Sequence, residues 1–363
     1  MEKKTVLVAM SGGVDSSVAA ALLVEQGHTV IGVTMKTFCY QEAEAELTGP
    51  TRSCCGLDGI MDARQVADRL GIAHYVFDVE REFTRDVIDD FVSEYASGRT
   101  PNPCVRCNGN TKVRDLLRRG RMLGCDVIAT GHYARMGADA QGNPLLLRGV
   151  DPDKDQSYFL WALPTEILPQ LMFPLGELTK PRVRAIARDL GLVTADKPES
   201  MEICFVPDGD YPRFLGKRLG AEHAALAPGA LVTTTGEVIG EHDGYARYTV
   251  GQRKGLGGGR ALPLYVLGSR PDRREVVVGT LDELHRPGAT IGELNWLAAP
   301  PSPGDAVQVQ IRHRARAVPA RVAEVSGESI TLAFESPQRA VSPGQSAVMF
   351  DGDVVLGGGR IAS

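Results

Sequence analysis

Val6-Leu7-Val8-Ala9-Met10-Ser11-Gly12-Gly13-Val14-Asp15-Ser16-Ser17 decides how the amino-terminal half of this chain folds. Val6 to Met10 is an unbroken apolar run of strand length, with none of the alternation of a half-exposed strand. Val14, Val18, Ala21 and Leu22 then fall on one helical face, and Gly27 ends that helix. Between strand and helix, two glycines let the backbone approach a ligand closely, and Ser11, Ser16 and Ser17 add hydroxyls. A strand end, a glycine loop and the amino end of a helix together make a phosphate site, because the first helical amides have no partner inside the helix. The loop has no Lys after its glycines and is not spaced as G-x-G-x-x-G, so it is neither a Walker loop nor a dinucleotide fingerprint.

The alternation continues outward. Thr29 to Met35 is β-branched and apolar, a second strand. Ile60, Ala63, Val66, Ala67 and Leu70 mark a helix closed by Gly71, and Ile72 to Val79 reads as a third strand. Glu80 to Ser97 reads as a helix and Asp126 to Thr130 as a fourth strand. This order predicts an α/β, Rossmann-like domain whose parallel sheet is covered on both faces. Two irregular segments interrupt it, about 36–58 and 98–108, and each holds paired cysteines. Residues 165–191 look helical, and 209–220 gives one more short helix. From Pro228 onward the chain is rich in Gly, Pro and Val, with short β-like runs at 237–239, 264–267, 275–278, 306–311, 317–325, 329–333 and 354–356. Such runs predict a barrel or sandwich. Boundaries near 205–210 and 281–288 divide the chain into 1–207, 208–284 and 285–363.

The 363 residues allow two or three domains, and 43% hydrophobic with 23% charged residues suits a globular protein with a sizeable core. The net charge of -5 excludes bulk attraction to a polyanion, so any nucleic-acid binding needs local basic faces. The apolar run at 6–10 is too short for a signal peptide or a membrane span, which reads as a cytoplasmic protein without a membrane part. Seven cysteines, an odd number, point to catalysis, redox chemistry or metal binding rather than a disulfide framework.

Cys104-Val105-Arg106-Cys107 is a C-x-x-C pair in a Pro-interrupted segment. Alone, it fits a redox pair, half a metal site or two cluster ligands. Arg106 and Arg99 would favour the thiolate. Cys204 stands alone between a polar turn and Phe205-Val206, where a buried packing residue is equally well explained. Cys54-Cys55 reads as part of a loop without catalytic duty, Cys39 and Cys125 as packing residues, and His74 as a core or surface residue. Basic stretches at 112–121, at Lys180, Arg182, Arg184 and Arg188, and at Arg312, Arg314, Arg316 and Arg321 suit docking on RNA phosphates, or are solvated faces.

The loop at 11–17 resembles that of the ATP-pyrophosphatase superfamily, whose members split ATP between the α and β phosphates. The resemblance narrows with Gly98-Arg99-Thr100-Pro101-Asn102-Pro103, Cys107-Asn108, Thr130-Gly131-His132-Tyr133, Lys154-Asp155-Gln156-Ser157-Tyr158-Phe159-Leu160, Ile203-Cys204-Phe205, Gly251-Gln252-Arg253-Lys254-Gly255-Leu256-Gly257 and Pro343-Gly344-Gln345-Ser346-Ala347, in that order. From about residue 5 to residue 360 the chain is similar to the tRNA-specific 2-thiouridylase family.

The resemblance implies a pyrophosphatase domain, a small central domain and a C-terminal β-barrel. It implies adenylation of O2 of the wobble uridine (position 34) of tRNAs for Glu, Gln and Lys, release of pyrophosphate and AMP, and sulfur from a cysteine desulfurase or relay protein. Carried over, Ala9, Met10, Ser11, Gly12, Gly13, Val14, Asp15, Ser16, Met35 and Gly131 hold ATP with Mg²⁺. Cys107 is the nucleophile and Cys204 the persulfide carrier, and the two are able to close a disulfide. Asn102, Pro103 and Cys104 border the target base, and His132, Lys154, Asp155, Gln156, Arg312, His313 and Gln345 contact tRNA. Cys104 departs from the family, many of whose members carry an Asp there as a proposed base. Cys104, Cys107 and Cys204 are therefore also a ligand set for a [4Fe–4S] cluster with one open iron. The rival readings are an amidating synthetase with the same ATP loop, which needs no such thiols, and a non-catalytic tRNA-binding scaffold, which needs no ATP loop.

Overall fold

In the computed structural model, β1 (Thr5–Ala9) runs straight into the glycine loop and α1 (Val14–Glu25) follows. The model describes residues 2–37, 57–199, 203–257 and 262–363; Cys39, Cys54 and Cys55 lie outside them. After α1 come β2 (Thr29–Lys36), α2 (Leu57–Leu70), β3 (Ala73–Asp78) and a helical run made of Glu80–Phe83, a π-helical Thr84–Ile88 and Asp89–Ala96. A short helix Pro103–Arg106, a π-helical Cys107–Lys112 and α3 (Val113–Met122) lead to β4 (Val127–Thr130), then to a hairpin of β5 (Ala134–Ala138) and β6 (Pro144–Arg148). A 3₁₀ turn at Thr165–Gln170, β7 (Leu171–Met172) and α4 (Lys180–Asp189) follow.

Two units emerge from these elements. The first comprises residues 1–87, 104–209 and 353–355. Its sheet has the order β3-β2-β1-β4-β7, all parallel, with β1 central and Val6 paired to both Val30 and Val127. Connections leave β1 toward β2 on one side and β4 on the other, so the chain reverses direction beside the β1 loop. That is where open parallel sheets bind ligands. Val6 and Val8 pack with Val14, Val18, Ala19, Ala20 and Leu23 of α1, Ala63 and Val66 of α2, and Val183 and Ala187 of α4. The run Ala19-Ala20-Ala21 on α1 lets the sheet and two helices approach it closely, and even its Ser16 and Ser17 are buried.

The second unit comprises 88–103, 210–352 and 356–363. After α5 (Tyr211–Leu219) it holds a four-stranded sheet of order β10-β11-β8-β9, from β8 (Gly229–Val232), β9 (Val238–His242), β10 (Tyr265–Arg270) and β11 (Glu275–Gly279). Six strands then close on themselves: β12 (His285–Trp296), β13 (Ala306–Gln310), β14 (Val318–Ser326), β15 (Ser329–Arg339), β16 (Ser346–Asp351) and β17 (Val354–Ile361), with β12 pairing both β15 and β17. Ile291, Val309, Ile330, Leu332, Ala347, Met349 and Ile361 fill the interior. The predicted architecture is therefore present: a parallel-sheet domain, a small central sheet and a closed β-barrel.

Three local expectations need correction. Residues 98–108 are irregular only as far as Asn102, because the chain turns helical at Pro103 and stays so to Met122. Residues 165–191 are not continuously helical: β7 interrupts them and adds the fifth strand to the sheet. The β5–β6 hairpin, β8, β12 and β16 were not anticipated. Cys125 is a buried packing residue, as read, and burial pushes its thiol up. His74 fastens two strands of the sheet, its Nε2 lying 2.9 Å from Thr34 Oγ1.

Candidate active site

The loop after β1 is built around Gly12, whose φ of +70° is the left-handed region; a Cβ there would lie 2.1 Å from the Gly59 carbonyl oxygen of α2. Gly13 is extended, and no side chain caps the amino end of α1, so the α1 amides keep their positive end open. Ser16 Oγ accepts from the Ser11 amide (3.1 Å) and sits 3.3 Å from Ser11 Oγ, while Ser17 Oγ donates to the Gly13 carbonyl (2.8 Å). Ala9 ends β1, Met10 is buried with its sulfur against Gly32, and buried Met35 lies near the end of β2. Gly131, just beyond β4, packs on the same loop: a Cβ would lie 2.7 Å from the Ser16 amide nitrogen. The residues expected around a nucleotide thus share the carboxyl ends of β1, β2 and β4.

Asp15 sits in the first turn of α1 and its carboxylate is held from two sides. Tyr133 Oη donates to Oδ1 at 2.7 Å, and Lys180 Nζ donates to both oxygens at 2.8 and 2.7 Å. Lys180 also pairs with Glu199 (2.9 Å), and Lys154 takes the other Glu199 oxygen (2.8 Å). Burial alone would raise the Glu199 carboxyl, but the two ammonium groups outweigh it and hold it at about 2. Burial, then the Asp15 charge, push the Tyr133 phenol up, so it stays a donor. Lys197 spans from the Gly12 carbonyl (3.0 Å) to Asp62 of α2.

Lys180, Glu199, Lys197 and Asp62 were missed as site residues. Lys180 was read as part of an RNA-facing stretch, yet it is only 7% exposed and faces Asp15. Its neighbours Arg182 and Arg188 are exposed, and Arg184 and Arg188 join Asp151, Asp153, Lys154 and Pro181 in lining a cleft of about 510 Å³.

Cys104 lies exposed in the first helical turn after Asn102 and buried Pro103, and Cys107, half-buried, opens the π-helical turn. Three residues apart on one helix, the two thiols share a face. The Cys107–Lys112 turn is fixed on several sides. Asn108 Nδ2 donates to the Phe159 carbonyl (3.3 Å), Gly109 abuts the Ala162 carbonyl, and Thr111 Oγ1 reaches Asp86 (3.4 Å). Beyond β4, burial and then the charge of Lys112 push the His132 ring down to about 3, so the imidazole is neutral, with Nδ1 2.7 Å from Thr130 Oγ1. The cysteine helix thus packs on residues 159–162, and Gln156, just before that stretch, holds the Tyr133 amide two residues from Gly131. Cys204, half-buried, occupies a turn closed by the Val206 amide on the Ile203 carbonyl (2.9 Å). Its neighbour Phe205 packs edge-on against Phe83 at 5.8 Å, three residues from the Asp86 that meets Thr111.

The other expected RNA contacts are placed as follows. Asp155 is an internal organiser: it accepts from Arg148, the Gly149 and Ser157 amides and Ser157 Oγ. Gln156 Oε1 accepts from the Tyr133 amide (3.0 Å). In the second unit, Arg312 Nη2 donates to the Arg339 carbonyl (3.0 Å) and His313 is exposed. Gln345 Nε2 donates to the Thr100 and Pro101 carbonyls (2.9 and 3.0 Å), bracing the irregular segment that leads to Pro103. Arg99 pairs with buried Glu94, so its charge is already matched.

Comparison with known proteins bears on the whole chain. Residues 4–208 match the family model described as the tRNA methyl transferase HUP domain, 214–280 the tRNA methyl transferase PRC-barrel domain, and 286–361 the aminomethyltransferase beta-barrel domain. A protein of Geotalea uraniireducens named tRNA-specific 2-thiouridylase MnmA is 51% identical over 360 residues, covering 99% of this chain and 95% of the relative. Its namesake in Geobacter metallireducens is 50% identical over 359 residues, covering 99% and 97%. With half of all positions shared over nearly its full length, the chain belongs to the tRNA-specific 2-thiouridylase family.

Proposed function

We propose that this protein is a tRNA-uridine 2-sulfurtransferase that activates O2 of the wobble uridine with ATP and replaces it with sulfur. The observation that supports this most is local: the uncapped glycine loop, the Cys107 helix and the Cys204 turn belong to one unit, linked through residues 156–162 and through Phe83. A phosphate site without cysteines would suit an amidating synthetase equally well; the thiols favour sulfur transfer.

ATP enters as its magnesium complex, and the α1 amino end and the Ser11 and Ser16 hydroxyls hold its phosphates. Uridine O2 attacks the α-phosphorus, N3 loses its proton, and pyrophosphate leaves. The terminal sulfur of a Cys204 persulfide, charged by a cysteine desulfurase or relay protein, attacks C2, and AMP departs with the old oxygen. The Cys107 thiolate attacks the Cys204 sulfur. The bond to the transferred sulfur breaks, its electron pair stays on that sulfur, and a Cys107–Cys204 disulfide forms, which an external thiol reduces. Asn102, Pro103 and Cys104 border the base, and the tRNA is one with a wobble uridine for Glu, Gln or Lys. We assign catalysis to 1–207, and tRNA docking also to 208–284 and 285–363. Among the described residues, no three His, Cys, Asp or Glu side chains gather as a metal requires, and a [4Fe–4S] cluster on Cys104, Cys107 and Cys204 is tested by iron and acid-labile sulfide analysis after anaerobic purification. No step here runs through iron.

The test supplies ATP, tRNA lacking 2-thiouridine and a persulfide donor, then measures nucleotides and nucleosides. AMP and 2-thiouridine in equal amounts are expected. AMP formed equally well without tRNA would favour the synthetase, and no ATP cleavage under any condition would favour the scaffold. On the RNA side, Arg312→Ala is expected to weaken tRNA binding and to lower the slope of log affinity against log salt by about one. An unchanged affinity across a salt series would refute that contact. No described helix is long and apolar enough to cross a membrane.

A further inference from the structure

An acid in the first turn of a helix whose amino end must accept a polyphosphate poses an electrostatic problem, because like charges a few ångströms apart repel strongly where water is scarce. Asp15 is such an acid. Its position adjoins the loop, since Gly131 packs on the Asp15 and Ser16 backbone. Lys180 answers the problem with three contacts: two to the Asp15 carboxylate and one to Glu199. The ammonium is nearly fully buried, comes from the first turn of α4, and has its own backbone amide held by Asp151 (2.8 Å). Tyr133, pointing at Oδ1, fixes the carboxylate from the other side. Lys154 shares Glu199, so the Lys180 ammonium lies between two carboxylates.

We infer that Lys180 is a positioning residue of the nucleotide site: its ammonium fixes the Asp15 carboxylate against Tyr133 and cancels its charge where the loop must accept the ATP phosphates. The inference rests on reading the loop at 11–17 as the ATP site. It differs from a purely structural role in one respect. If Lys180 matters because it neutralises Asp15, removing the Asp15 charge repairs its loss.

The experiment measures tRNA-dependent AMP formation against ATP concentration for the full-length wild-type protein, Lys180→Met, Asp15→Asn and the double variant. Wild type comes first: no AMP from it refutes the ATP reading, and this inference with it. Lys180→Met is expected to raise KM for ATP about tenfold or more, with kcat much less affected. Asp15→Asn is the reference for the double variant: with the charge at 15 gone, adding Lys180→Met is expected to change KM by no more than about threefold, a strong departure from additivity. A tenfold rise in KM when Lys180→Met is added to Asp15→Asn overturns the inference, because Lys180 would then act without the Asp15 charge. If Lys180→Met lacks a cooperative thermal transition, the other two decide: equal KM in Asp15→Asn and the double variant supports the inference, and a tenfold higher KM in the double variant overturns it.

Discussion

Cys204→Ser is expected to lower 2-thiouridine formation at least about a thousandfold while tRNA-dependent release of AMP or its adenylated product persists. Serine has nearly the shape of cysteine but cannot carry a persulfide, so the loss falls on sulfur delivery alone. Cys204 is half-buried in its turn, and neighbouring Phe205 supplies the packing through Phe83. The substitution should therefore leave folding intact. Cys107→Ser has a different signature. Transfer stops after the first attack, and tRNA remains joined to Cys204 through a disulfide that a thiol reductant releases. Gel electrophoresis with and without reductant reads this directly. Equal loss of ATP cleavage in both variants would instead show that the cysteines support activation or folding, and would remove them from the sulfur path.

The second large effect concerns two adjacent glycines with opposite expectations. Gly12 has φ +70°, and a Cβ would meet the Gly59 backbone oxygen at 2.1 Å, where no side chain can swing away. Gly12→Ala should cost about 1–2 kcal/mol for the left-handed conformation, and at least about 3 kcal/mol once α2 is displaced. The melting temperature should fall by roughly 6–12 °C, and ATP affinity should fall more than about tenfold as the loop shifts. Gly13 has φ −100°, and its Cβ would meet only Ser11 Oγ at 3.5 Å. Gly13→Ala should keep the fold and much of the ATP affinity. Calorimetry and nucleotide binding on the two variants check the pair, and equal damage from both would contradict the geometry.

The parallel-sheet domain was legible because the hydrophobic period changes at the glycines: an unbroken apolar run before Ser11, a helical face after Val14. What escaped has physical reasons. The helix at Cys104–Cys107 looked irregular because Pro101 and Pro103 read as breakers, yet proline at a first helical position sacrifices no hydrogen bond. The π turn that follows shifts the side-chain period, so residues 107–112 show no ordinary helical stripe. β12 begins with Arg286-Pro287-Gly288 and looked like a linker; its ladder is in fact irregular between Arg286 and Gly288. Lys180 was hidden in a run of basic residues, and no linear pattern tells its buried ammonium from the half-buried Arg184 and the exposed Arg182 and Arg188. Its partner Asp15 lies 165 residues away in sequence, so only folding reveals the pair.

The most direct test of the account loads Cys204 with one labelled persulfide sulfur, removes the donor, and adds ATP and tRNA lacking 2-thiouridine for a single turnover. The account predicts that the label moves to the wobble uridine in step with AMP formation, at up to one sulfur per enzyme, leaving Cys107 and Cys204 joined as a disulfide. AMP formation with the label still on Cys204, or released as sulfide without reaching the uridine, would contradict it.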